Sequence, residues 1–62
     1  MAKLVEFKKE DGSQCFINAM LVTVLHSDGE NTIICSVGVG QSGVVVKGDV
    51  RKIAVKLGGY KD

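Results

Sequence analysis

Three stretches of this 62-residue chain are apolar on both of the faces a strand would present. Over 21–26, Leu21 and Leu25 alternate with Val22 and Val24. Over 32–37, Ile33, Cys35 and Val37 alternate with Ile34. Over 43–47, Val45 sits between Val44 and Val46. Successive side chains of a strand point to opposite faces, so an antiparallel sheet with one wet face reads apolar and polar by turns. These segments must be covered on both sides. Either the sheet curls onto itself as a small barrel, or a second subunit buries the outer face. The expectation is the second subunit, with a symmetric dimer favoured. A chain this short buries only about 60% of its unfolded surface and is marginal alone. The interface is expected on one face of the third and fourth strands, either Leu21 and Leu25 with Ile34, or Val22 and Val24 with Ile33. A one-residue slip exchanges the two sets.

Valine and isoleucine number fourteen against four leucines, a bias that suits pleated strands better than helices. Residues 3–8 alternate, with Val5 and Phe7 on one side and Glu6 and Lys8 on the other. Asp11-Gly12 then marks a turn, and Gln14 to Ile17 resumes a strand. Asn18-Ala19-Met20 reads as a kink, and Asp28-Gly29 as a second turn. After residue 47 the period changes. Val50, Ile53, Ala54 and Leu57 fall on one face of a short helix, with Asp49 at the N-cap and Gly58 at the C-terminal stop. Residues 58–62 are expected to fray. The fold class predicted is α+β: an antiparallel β-meander of four to five short strands over about 3–47, with one C-terminal helix over about 50–57. The whole of 1–62 is read as one domain.

Several motifs point to chemistry and lack its context. Gly38-Val39-Gly40-Gln41-Ser42-Gly43 spells a dinucleotide fingerprint, but the fingerprint must open a helix, and here Val44-Val45-Val46 follows. The stretch reads as a hairpin loop, whose amides could hold an anion only weakly. His26 is the single histidine, and Cys15 and Cys35 are the only cysteines. Two thiols without clustered histidines do not make a zinc site; they read as small core residues in a reducing compartment. No cofactor, metal or catalytic constellation is expected, and the chain is read as no enzyme. Nothing in it reaches membrane-spanning length, so a cytoplasmic location is expected.

Eight Lys and Arg against seven Asp and Glu leave a net charge of +1. A nucleic-acid binder usually carries a clear basic excess on one face, so that reading comes second. It would use a sheet face carrying Phe7 and Phe16 for stacking, with Lys8, Lys9 and Lys47 for phosphates.

Phe16-Ile17-Asn18 before Leu21-Val22, then Thr32-Ile33-Ile34, then Val45-Val46-Lys47-Gly48-Asp49-Val50 leading into Ile53-Ala54, resembles the small bacterial FlbD-like proteins, named after flagellar and swarming-motility genes. The resemblance covers roughly 3–57. It implies an order of strand, kink, strand, turn, strand, glycine loop, Val-Val-Lys, cap and short helix. Ala19 stands where that pattern has proline, Asp49 where it has serine, and Arg51-Lys52 where it has an acidic pair. The function expected is a non-enzymatic, homo-oligomeric protein-interaction module of unidentified partner.

Overall fold

Two aspartate-glycine turns fold the first four strands locally. Lys9 N–H donates to the Ser13 carbonyl at 2.7 Å, and Asp11 Oδ1 accepts from Ser13 N–H at 2.9 Å and Ser13 Oγ at 2.6 Å. The Ser13 donors hold the exposed Asp11 carboxyl below its ordinary range. That contribution is present at neutral pH and is lost as pH falls through the lowered value. Gly29 takes φ 62° as the first residue of a two-residue turn between Asp28 and Asn31, a position that favours glycine in hairpins.

The computed structural model describes residues 3–38 and 43–61. The elements are β1 (Leu4–Lys8), β2 (Gln14–Asn18), a 3₁₀ turn (Ala19–Leu21), β3 (Val22–Asp28), β4 (Asn31–Ser36), β5 (Val44–Lys47) and α1 (Val50–Leu57). All strand pairing is antiparallel, β1 with β2 in one sheet and β3-β4-β5 in another. A single bridge, Lys9 with Val46, and a bond from Glu10 N–H to the Val45 carbonyl join the hairpin to β5. The α+β expectation is the fold found. The inner face of β3–β5 is covered by α1, through Ile53 and Leu57, and by the hairpin, through Phe7 and Ile17.

The core is Phe7, Ile17, Ile34, Val46, Ile53 and Leu57. Register explains its membership. Phe7 stands opposite Cys15 and Val5 opposite Ile17 on the inner side of the hairpin. Leu25, Ile34 and Val44 form one inner row of the larger sheet, and Ser27, Thr32 and Val46 the next.

Thr32 is the one buried polar residue among those described. Its Oγ1 donates to the Gly48 carbonyl at 2.8 Å, tying the β5–α1 connection to β4. Thr32→Val keeps the shape and leaves that carbonyl without its donor, so we expect a loss of about 1–3 kcal/mol in urea unfolding.

Asp49 caps α1 as its sequence position predicts, its carboxylate accepting from Arg51 N–H at 3.1 Å. Asp49→Ala should cost about 1 kcal/mol, measured by the same unfolding midpoint. At the far end Gly58 takes φ 88°, and the N–H groups of Gly58 and Gly59 donate to the carbonyls of Val55 and Ala54, a Schellman stop. Residues 58–59 therefore close the helix rather than fray. Arg51 and Lys52 oppose the helix dipole at its start, whereas the Lys3 ammonium lies against Gly58 at its C-terminus, where a cation is favourable.

Candidate interaction surface

The β3–β4 ladder shifts register between Val22 and Val24. This bulge re-phases β3, because one extra residue turns the following side chains to the other face. Val22 packs on the core, and so does Leu25, although they lie three positions apart, an odd step. Val24 instead faces outward opposite Cys35, beside Thr23, whose Oγ1 donates to the Cys35 carbonyl at 3.3 Å.

The outer face of β3–β5 then reads in rows. Val24 and Cys35 form one, His26, Ile33 and Val45 the next, and Asp28, Asn31 and Lys47 the last. Val24 is 43% exposed, and Ile33, Cys35 and Val45 are half-buried by their neighbours. Past Val24, the Val37 N–H donates to the Leu21 carbonyl at 2.9 Å, and both side chains are exposed. The apolar part of the outer face thus comprises Val24, Cys35, Ile33 and Val45, and ends at a charged row.

Neither set of interface residues expected from sequence survives whole. Ile34 is 1% exposed, and Leu25 and Val22, both half-buried, pack against the core, so these three turn inward. Val24 and Ile33 do share the outward face, whereas Leu21 ends the 3₁₀ turn and lies beside Ile17 and Val44 at the seam between β2 and the larger sheet. Val45 and Cys35 also face outward and were not in either expected set. Val45 had a signal in its alternation with Val44 and Val46; the bulge at Thr23 had none.

The phenylalanines separate in the same way. Phe7 is 3% exposed, with Lys56 Nζ 4.9 Å from its ring centroid, whereas Phe16, 62% exposed, points out of the opposite face of the hairpin. Neighbouring strands do not suffice for one stacking platform, because Phe7 and Phe16 differ by an odd step across the ladder. Directly opposite Phe16 stands Glu6, whose carboxylate accepts from the Gln14 amide. Lys8 shares that face, Lys9 is half-buried at the bridge to β5, and Lys47 lies on the other sheet. The structure does not bring these five residues together, and the one phenylalanine it exposes has an acidic neighbour.

Cys15 faces inward and Cys35 outward, and both are free thiols. Among the described residues no group of three or more His, Cys, Asp or Glu stands close enough to hold a metal, and no helix is long and apolar enough to cross a membrane. The glycine motif lies largely outside the described residues; its ends, Gly38 and Gly43, flank β4 and β5. A cleft of about 290 Å³ runs between β3 and α1, past Val22, Thr23, Ala54, Leu57 and Tyr60. A second, of about 160 Å³, opens at the seam between β2 and the larger sheet, lined by Phe16, Ile17, Leu21, Ser36 and Val44. Both lie below the range of about 300–1,000 Å³ usual for ligand pockets. No family model, curated protein or solved structure matches the chain.

Proposed function

We propose that this chain is a small, non-enzymatic protein-interaction module of the bacterial cytoplasm that works as a homo-oligomer. In its basic unit the outer face of β3–β5 packs on the same face of a second copy. The observation that carries the reading is the continuous outward surface of Val24, Ile33, Cys35 and Val45. Soluble monomers seldom leave an apolar patch of more than a few hundred Å² open to water.

Charge favours a second copy as the occupant. A two-fold axis running along β4 sets β3 of one chain over β5 of the other. Asp28 then faces Lys47 across the interface in both directions, and Ile33 meets Ile33. Such an interface is isologous and self-complementary. The FlbD-like order of elements supports the same reading of a small bacterial module.

Sedimentation equilibrium tests the proposal. The expected mass rises above 6.6 kDa at high micromolar protein, and the melting temperature rises with concentration, because association favours the folded state by mass action. A mass of 6.6 kDa throughout, with a melting temperature that does not move, overturns it.

A further inference from the structure

One side chain on the outer face of β3–β5 can change its charge near neutral pH. His26 is the single histidine of the chain. Register puts it in the middle of the three outer rows, directly opposite Ile33, with Val45 on the far side of Ile33. Val24 and Asp28 flank it along β3. The ring is exposed in the single chain, where either protonation state stays hydrated.

Each element around His26 brings identifiable groups. On β3, the Asp28 carboxylate lies two positions along the same face, and Glu30 follows in the turn. On β4, the diagonal neighbours are Cys35 and Asn31, a thiol and an amide. On β5, Lys47 closes the row that Asp28 opens. Tyr60 stands in the cleft between β3 and α1, beside Val22 to Leu25. α1 meets the sheet from the inner side, through Ile53 and Leu57, and brings no charge to the outer face. The two-fold arrangement sets β3 of one chain over β5 of the other. His26 then lies over Val45 of the second copy, next to its Lys47, and Asp28 turns to that same lysine.

We propose that protonation of His26 opens the dimer, so that the outer face of β3–β5 is a pH-sensitive contact. The switch presupposes the face-to-face dimer proposed for this chain. A neutral imidazole is a flat, largely apolar ring and packs on Ile33 and on Val45 of the second copy. An imidazolium in the same place has no carboxylate to itself, because Asp28 is engaged by Lys47 of the second copy, and an unpaired charge is costly to take out of water. In the single chain the imidazolium remains in water, with Asp28 free on the same face. The proton therefore favours separate chains. By linkage, the dimer keeps its full stability above the pH at which the free imidazole titrates and weakens as pH falls through that value. Histidine is the side chain that ordinarily titrates between about pH 5 and 8; carboxylates do so below this window, and thiols and lysines above it.

Sedimentation equilibrium of the unaltered protein and of His26→Gln, each at two pH values, tests this. Between ~pH 7.5 and ~pH 5.5 the dissociation constant of the unaltered dimer should rise ~100-fold, about tenfold for each of its two imidazoles. The circular dichroism spectrum should not change. His26→Gln carries no charge at either pH and should dimerise with the same constant at both. An unaltered dimer whose constant stays put overturns the switch and leaves the dimer standing. A mass of 6.6 kDa at both pH values removes the dimer and the switch together. A His26→Gln dimer that keeps the full pH dependence also overturns the switch, since the titrating group is then not His26. Loss of the dichroism spectrum at ~pH 5.5 overturns it as well, because acid unfolding is then the event rather than dissociation.

Discussion

Ile34→Ala is expected to destabilise the chain by about 2–5 kcal/mol. Ile34 stands in the middle of the inner row between Leu25 and Val44, is almost wholly buried, and belongs to the cluster that joins both sheets to α1. Truncating it removes buried methyl and methylene groups and leaves a cavity that flanking strands cannot close without breaking register. At about 0.05–0.15 kcal/mol per residue, a domain of this length has little more stability than that to lose. Urea unfolding followed by circular dichroism should show a largely unfolded baseline at 25 °C or a midpoint shifted far to lower urea. His26→Ala, on the adjacent strand and facing out, should stay within about 0.5 kcal/mol. A larger loss at His26 than at Ile34 would mean that the inner and outer faces of β3–β5 are the reverse of those described.

Val24→Lys is expected to weaken the face contact by about 100-fold or more. An ammonium placed in the middle of an apolar interface has no carboxylate opposite it, and an uncompensated buried charge costs about 3–5 kcal/mol, with each 1.4 kcal/mol worth tenfold. The isolated fold should tolerate the change, because Val24 is exposed in the single chain. The dissociation constant from sedimentation velocity should rise by that factor while the circular dichroism spectrum stays put. An unchanged constant would move the interface off Val24.

Much of this architecture is legible in the chain because it is local. Asp11-Gly12, Asp28-Gly29, Asp49 and Gly58 each act within a few residues, and the turns and helix ends lie where their chemistry predicts. The demand for two covered faces is also legible, since it follows from alternation alone. What covers the inner face is not, because the Lys9–Val46 bridge joins residues from opposite halves of the chain. The bulge is the other hidden feature. Thr23 is an ordinary strand residue by propensity, and only the pairing with Cys35 makes it the extra one. That single residue decides that Val22 and Leu25 go to the core and Val24 to the surface, splitting both candidate sets. Thr32 is hidden for a related reason, as its partner carbonyl at Gly48 arrives from beyond β5.

The bridge between Lys9 and Val46 also bears on the order in which the molecule assembles. The β1–β2 and β3–β4 ladders join neighbours in sequence and can form on the microsecond scale of hairpins. The bridge closes a loop that spans most of the chain, and loop-closure entropy must be met before a non-local contact returns anything. Phe7 and Ile17 reach Ile34 and Val46 only when that closure is made. Until then α1, which follows β5 directly, is the one described element that can cover the inner row of β3–β5. The docking of the hairpin thus carries a loop-closure cost that the two local hairpins do not.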